Sequence, residues 1–155
     1  MKLPFTKKIR GRIFISLLVL GLGIGGGIAY YLITEKFEDT KQVKADYSLS
    51  ALNMLQAFQE NDSLANTTYR DRIIELKGRI SSIEWADTSA NIKIQSPDSG
   101  DYLIFDFQAG DANNTRSLKA GDSVSIRASC SGSVFSRILN SRSVQFKRAT
   151  LIQQF

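Results

Sequence analysis

Histidine is absent from this sequence of 155 residues, and cysteine occurs once, at Cys130. A nucleophilic triad needs a base beside its nucleophile, and Cys130 has no imidazole to serve as one. Zinc sites are built from clusters of cysteine and histidine, which the chain does not contain. A single cysteine also excludes an intrachain disulfide, so the fold does not rely on one. We therefore expect Cys130 to be a small core residue and not a nucleophile.

The acidic residues form no recognisable catalytic or metal-binding group either. Glu75 and Glu84 are too isolated along the chain to act as a paired acid and base. Asp98 and Asp101 flank Gly100, but their spacing is not that of an EF-hand calcium loop, so we expect a solvated turn. The sequence predicts that the protein is not an enzyme and that it binds no metal and no cofactor.

Acidic residues are also missing from positions 1–33, where the basic residues are Lys2, Lys7, Lys8, Arg10 and Arg12. In positions 34–155, the other 15 Lys and Arg residues are balanced by 15 Asp and Glu residues. The net charge of +5 and the pI near 9.4 therefore describe the amino-terminal segment. Because a formally neutral domain gains little from phosphate neutralisation, nucleic acid is an unfavoured partner.

No charge interrupts the stretch from Ile13 to Ile33, which is 21 residues long. As a helix it would span roughly 31 Å, about the thickness of a bilayer's hydrocarbon core. It is longer than a signal-peptide core and ends in Ala29-Tyr30-Tyr31-Leu32-Ile33, a poor cleavage site. The sequence predicts a single-pass, uncleaved anchor in the inner (cytoplasmic) membrane. By the positive-inside rule, the basic tail 1–12 stays cytoplasmic and residues 34–155 are periplasmic or otherwise extracytoplasmic.

The predicted anchor contains two GxxxG pairs, Gly21 with Gly25 and Gly23 with Gly27. Small residues at this spacing allow two membrane helices to approach closely, so self-association through either pair is one interpretation. The other is that glycine is simply common in membrane helices.

After a charged linker over residues 34–47, residues 48–70 predict a helical segment. Apolar residues recur at spacings of three and four from Ser48 to Glu60, with Ser48 or Ser50 as the cap. Asp62 is the expected cap of a second short helix, Ser63 to Tyr69. The apolar face is interpreted either as a partner surface or as the side that packs on the chain's own barrel.

From Ile73 onward the apolar period changes to two, which predicts strands. Five are expected in residues 71–155, with a first strand bent at Gly78 and a bulge near Ser81-Ser82. The others are 91–95, 102–107, a strand carrying Val124 to Cys130, and about 143–152. Residues 133–142 are left open as a loop, a helical turn or the start of the last strand. Short strands with a bent first one suit a small closed barrel.

Three groups of residues resemble the tRNA_anti-like family, whose members are membrane-anchored or exported bacterial proteins. The groups are Ser50, Ala51, Leu55, Phe58, Asn61, Ala65 and Tyr69; Ile74, Leu76, Gly78, Ile80 and Ile83; and Leu118, Gly121, Asp122, Val124 and Ile126. The chain departs from the family at Ala128, where a glycine is expected, and at Ala149, where members often carry cysteine. The resemblance covers residues 48–152 and implies an OB-fold: a mainly β domain that contains a helical part. It implies no particular ligand.

An OB barrel usually binds across its second and third strands and the adjoining loops. The outward residues expected there are Lys93, Gln95, Tyr102, Ile104 and Asp106, with Trp85 in the loop after the first strand. Trp85 is interpreted either as a binding residue or as a cap on the end of the barrel. The first functional hypothesis is a membrane-anchored module that binds a protein or a small envelope ligand. The alternative, single-stranded nucleic-acid binding, needs stacking aromatics on a basic groove.

Overall fold

A computed structural model describes residues 21, 23–27, 40 and 42–155 of the chain. The chain divides into two compact units, Met1–Phe37 and Glu38–Phe155. Within the first unit, Gly21 and residues 23–27 are helical and exposed. The basic tail 1–12, the rest of the predicted membrane helix 13–33, and residues 34–39 and 41 of the linker 34–47 lie outside the described residues. Among the residues that are described, no helix combines the length and apolar character needed to cross a bilayer.

The second unit begins with a short strand, β1 (Tyr47–Ser50), followed by two helices, α1 (Ala51–Glu60) and α2 (Asp62–Tyr69). The Ser50 side chain caps α1 by accepting a hydrogen bond from the Asn53 amide at 3.1 Å. Helix α1 therefore starts later than the predicted Ser48, because residues 47–50 pair in parallel with a neighbouring strand. Ser50 is one of the two predicted caps of the first helix, whereas the predicted cap of the second helix is wrong. Asn61 caps α2 by accepting from the Leu64 amide at 3.0 Å, and Asp62 already belongs to the helix.

The remaining strands are β2 (Ile73–Arg79), β3 (Ser82–Trp85), β4 (Ala90–Gln95), β5 (Tyr102–Phe107), β6 (Ser123–Ser136) and β7 (Ser141–Gln154). A short helix, α3 (Ala109–Ala112), and one turn of 3-10 helix (Asn113–Thr115) lie between β5 and β6. The polar stretch between these two strands is thus partly helical.

All seven strands form one sheet in the order β1-β2-β6-β7-β5-β4-β3. Strands β2 and β3 lie far apart in this order but are joined by only two residues, Ile80 and Ser81. The Ile80 amide donates to the carbonyl of Asp122 at 2.9 Å, and the Ser81 amide donates to the carbonyl of Lys93 at 2.8 Å. This link joins β2 near one end of the sheet to β3 at the other end, and the resulting arrangement is OB-like.

The sequence predicts five strands, and the described residues contain seven. The predicted bent first strand is divided into β2 and β3, and β1 is an additional strand at the end of the predicted linker and the start of the predicted helical segment. Residues 133–142, which were left open, form the end of the long β6–β7 hairpin. Strand β7 changes phase after Phe146, because Ala149, three positions on, is also buried. The phase change coincides with a bulge in which the register with β6 shifts between Arg127 and Ser129, next to Arg148 with its φ of 53°.

The buried residues confirm the two predicted periodicities, which are spacings of three and four on the helix and a period of two on the strands. Its fully buried side chains include Phe58 of α1, Leu76 of β2, Phe105 of β5 and Phe146 of β7. The rings of Phe105 and Phe146 stack at 4.9 Å between centroids. Cys130 is fully buried, as predicted, and the apolar face of α1 packs on the chain's own sheet. Because apolar positions point inward on α1 and on every long strand, alternate strand residues are left to form an outer surface.

Candidate functional site

The outer surface of β4 and β5 holds most of the residues predicted to bind a ligand. On these strands Ile92, Ile94, Leu103 and Phe105 are buried inward, so the residues between them point outward. Lys93 lies directly opposite Ile104, and Gln95 lies opposite Tyr102. Cross-strand partners lie on the same side of a sheet. The structure therefore brings these four predicted residues together on one face.

The one cation among these residues is internally paired. Lys93 Nζ lies 2.6 Å from Glu84 Oε1 on β3 and 5.8 Å from the centroid of the Tyr102 ring. Asp106 occupies the same strand face two positions beyond Ile104, opposite Asn91. The predicted face is therefore mixed in charge, and Tyr102 is held beside a lysine that already has a carboxylate partner.

A groove of about 470 Å³ opens on this face. Its lining combines three predicted residues with neighbouring polar positions and with the end of the β6–β7 hairpin. The lining residues are Ser82, Lys93, Gln95, Ser99, Gly100, Tyr102, Leu139 and Ser141. Ile104 lies beside the groove without lining it. The groove thus has a polar floor, one aromatic side chain and one apolar wall residue, Leu139.

Trp85 lies elsewhere. As the last residue of β3 it pairs with Ala90, and the register places it on the same side of β3 as Ile83, towards the core. It is 44% exposed, and the Arg116 guanidinium lies 6.0 Å from its ring centroid. These two residues line a separate hollow of about 110 Å³ with the β3–β4 turn and α3. Trp85 therefore lies at the end of β3 and outside the groove.

The hairpin end supplies groove residues that the sequence analysis missed. Strand β6 ends at Ser136, β7 starts at Ser141, and four residues connect them. The large apolar residues Val134, Phe135, Ile138 and Leu139 are all exposed there. The charge pattern of the sequence does set this region apart from the rest of the domain, because residues 123–155 contain five basic residues and no acid. Net charge summed over the whole of residues 34–155 conceals this local excess.

A polar network fixes the end of the groove nearest the hairpin. Asp101 is 7% exposed. It accepts hydrogen bonds from Gln59 Nε2 of α1 and from the backbone amide of Arg142, each at 2.7 Å. The Arg142 guanidinium in turn contacts Asp62 of α2 and Ser133 of β6. Asp101, considered above as part of a solvated turn, is therefore a buried acceptor that joins the β4–β5 turn to α1 and β7.

Cys130 and Glu75 have shifted pKa values, but both residues lie away from the groove and contribute to the fold. Burial raises the pKa of the Cys130 thiol. The hydrogen bond from Arg127 lowers the pKa of Glu75, with Arg127 Nη2 at 2.8 Å from Glu75 Oε2. Glu75 also accepts from the Ser125 hydroxyl at 3.0 Å. Within the described part of the chain, no three His, Cys, Asp or Glu side chains are placed to hold a metal ion.

A second groove, of about 450 Å³, lies where the start of α1 meets β2. Ala51, Leu52, Ile80 and Ile94 form its apolar part, and Lys77 and Arg79 lie at its polar edge. It contains none of the residues predicted to bind a ligand except Gln95, which borders both grooves.

Comparison with known proteins places this site in context. The model of the tRNA_anti-like family matches residues 1–143, and no curated protein sequence matches the chain significantly. The crystal structure of a lipoprotein from Klebsiella pneumoniae, provisionally described as nucleic acid-binding, is similar in fold. Its TM-score is 0.55 at 16% identity, over 68% of this chain and 91% of that one. A protein from Leishmania major, provisionally described as an aspartyl-tRNA synthetase, has a TM-score of 0.46 at 7% identity, over 79% of this chain and 22% of that one.

Proposed function

The chain belongs to the tRNA_anti-like family, and on that basis we propose that it is a membrane-anchored OB-fold binding module. In this proposal residues 13–33 form the anchor, residues 34–155 lie outside the cytoplasm, and β2 to β7 act as an OB barrel. The ligand is a protein or a small envelope molecule, bound in the groove over β4 and β5. The protein is a binding module and not an enzyme.

The groove is the observation that supports this proposal. It lies over the two strands that OB barrels use for binding and beside the hairpin that adjoins them. Its lysine is paired with Glu84 at 2.6 Å, so the groove offers hydrogen-bonding groups, the Tyr102 ring and the apolar Leu139 side chain without an excess of charge. Such a lining suits a ligand that is itself uncharged or mixed in charge, such as a protein segment.

Photo-crosslinking in cells tests this proposal. A photoactivatable residue replaces Tyr102 in the full chain, and a matched control carries it at exposed Lys119. Lys119 precedes the start of β6, whereas the hairpin beside the groove follows the end of that strand. We expect a discrete adduct from position 102 that is absent from position 119. Loss of the adduct in a Lys93→Ala, Gln95→Ala background would support the groove, and identical adducts from both positions would contradict it.

A fusion reporter tests the location separately. A reporter that is active only outside the cytoplasm, fused after Phe155, is expected to be active. Activity of the complementary cytosolic reporter alone would overturn the predicted topology while leaving the groove unaffected.

A second candidate ligand is single-stranded nucleic acid. The family name and the description of the Klebsiella lipoprotein favour it, and Tyr102 could stack on a base. A gel-shift titration of the full chain with single-stranded oligonucleotides decides between the ligands. Nucleic-acid binding predicts an affinity that falls steeply with salt and that Tyr102→Ala weakens by about 1–3 kcal/mol. Absence of binding at low salt would remove this candidate.

A further inference from the structure

Four large apolar residues of the β6–β7 hairpin are exposed and do not belong to the core. Ile138 is 96% exposed and Leu139 is 67% exposed, and Val134 and Phe135 are exposed beside them. Four of the ten exposed large apolar residues in the described part of the chain therefore occur within six positions. Only Leu139 borders the groove, so ligand binding there does not account for Ile138.

The turn that carries Ile138 is well defined. The Leu139 amide donates to the Ser136 hydroxyl at 3.3 Å, and Asn140 adopts a left-handed conformation with φ of 46°. Asn tolerates this conformation better than most residues do. Ser136 and Ser141 pair directly across the base of the turn. The backbone thus holds Ile138 and Leu139 at the outermost point of a long hairpin.

The charged residues of the hairpin itself all have one sign. From the start of β6 to Phe155 the sequence contains Arg127, Arg137, Arg142, Lys147 and Arg148 and no acid. Arg127 pairs with Glu75, and Arg142 pairs with Asp62 and stacks over the Phe135 ring at 5.9 Å. None of the ion pairs formed within the described residues involves Arg137, which adjoins Ile138 and is exposed.

From this geometry we propose that the tip of the β6–β7 hairpin, residues 137–139, is a membrane-contact element that inserts Ile138 and Leu139 into the surface of a bilayer containing anionic lipid. Apolar side chains gain by leaving water for the acyl boundary, and arginine remains at the level of the headgroups. A basic residue adds attraction to an anionic surface. The complementarity of an acid-free, basic hairpin with anionic headgroups favours a lipid surface over a protein partner.

Fluorescence of a probe on the hairpin tests this proposal with the full chain. Ile138→Cys is labelled with an environment-sensitive fluorophore, and the matched control is Leu52→Cys, an exposed apolar position on α1. The native Cys130 is buried and should remain unlabelled. Each protein is mixed with vesicles of phosphatidylcholine and phosphatidylglycerol, with or without a nitroxide quencher on the acyl chains, and with vesicles of phosphatidylcholine alone.

We expect the probe at position 138 to shift to shorter wavelength and to be quenched by the acyl-chain nitroxide in anionic vesicles. The probe at position 52 should show neither change. Arg137→Gln should lower the ratio of inserted to free hairpin about fivefold. A probe at Leu139→Cys repeats the measurement in case the first variant does not fold.

Three results would overturn the proposal: an unquenched probe at both hairpin positions, equal quenching at positions 52 and 138, or equal insertion into vesicles without anionic lipid. A fourth would be a probe at position 138 that responds to a protein partner and not to vesicles. The photo-crosslinking at Tyr102 is independent of these outcomes, since it reports on the groove.

Discussion

Gly78 lies where the start of α1 packs closely against β2, and its replacement by alanine is a sharp test of the packing. A Cβ at this position would lie 2.8 Å from Ala51 Cβ and 3.0 Å from Ile94 Cδ1, whereas carbon atoms pack at about 3.5–4.0 Å. The end of the Ile94 side chain can rotate away. Ala51 Cβ cannot, because it is fixed to the first residue of α1, so the helix itself must move.

The expected magnitude follows from two opposing effects. Overpacking a well-packed core costs about 1–3 kcal/mol. Replacing glycine with alanine also restricts the unfolded chain, which stabilises the fold by about 0.4–1 kcal/mol. Gly78→Ala should therefore lower the free energy of unfolding by about 1–2 kcal/mol, with a fall in Tm of roughly 3–12 °C for a unit of this size.

Chemical denaturation followed by Trp85 fluorescence measures this free energy for the unit that contains Trp85. Gly110→Ala is the matched control, since no atom lies within 4 Å of the added Cβ, and we expect it to be neutral or slightly stabilising. The double variant Gly78→Ala, Ala51→Gly removes the obstructing methyl group. It should be more stable than the sum of the single effects predicts. Additivity within about 0.5 kcal/mol would refute the packing argument.

Three further predictions concern positions outside the groove. Gly132 has φ of 99°, and a Cβ there would lie 2.7 Å from Asn66 Oδ1. Gly132→Ala should therefore destabilise the fold by at least about 1–2 kcal/mol in the same denaturation assay, and a midpoint equal to that of Gly110→Ala would contradict this. The pKa of Glu75 lies below its ordinary value of 4.5 in the folded state because of Arg127. The stability from this pair is therefore present above the ordinary pKa and lost as pH falls through the lowered one. Between about pH 5 and 2, the wild type should lose more stability than Glu75→Gln does, and parallel pH profiles would argue against the pair. Finally, the raised pKa and burial of Cys130 predict a thiol that reacts with a thiol reagent only after denaturant is added. Rapid reaction of the native protein would show that the thiol is accessible.

Much of the core could be predicted from the sequence because burial in this fold follows simple periods. Ile74 and Leu76 are buried at alternate positions of β2, and Leu55 and Phe58 are buried at helical spacing on α1. Gly78 was correctly singled out, but for the wrong reason. It was predicted to permit a sharp bend, whereas the chain changes direction at Ile80-Ser81 and Gly78 is needed where Ala51 approaches.

The misassigned elements are those that depend on pairing with distant residues. Strand β1 contains two serines and is only four residues long, and it is extended because it pairs with β2. The Ser-rich end of β6 has little local preference for a strand, and it is held by its antiparallel register with β7. The same dependence explains the site. Lys93, Gln95 and Tyr102 were predictable from alternation, whereas Leu139 joins them only because the hairpin folds beside β4 and β5.

Because charge is unevenly distributed along the chain, a change in salt concentration should affect the two proposed contacts differently. Residues 34–155 are neutral in sum, but the hairpin region is basic and all 15 acids of the chain lie between positions 34 and 122. The argument from neutrality against a polyanionic partner therefore applies to the groove, where Lys93 is paired with Glu84, and not to the hairpin.

Raising ionic strength from about 0.1 M to 1 M shortens the screening length from about 10 Å to 3 Å. Crosslinking from Tyr102 to a ligand that is uncharged or mixed in charge should change little over this range. In contrast, the acyl-chain nitroxide in anionic vesicles should quench the probe at position 138 less at high salt. If both signals fell together, the groove ligand would itself have to be strongly anionic, and nucleic acid would become the better assignment.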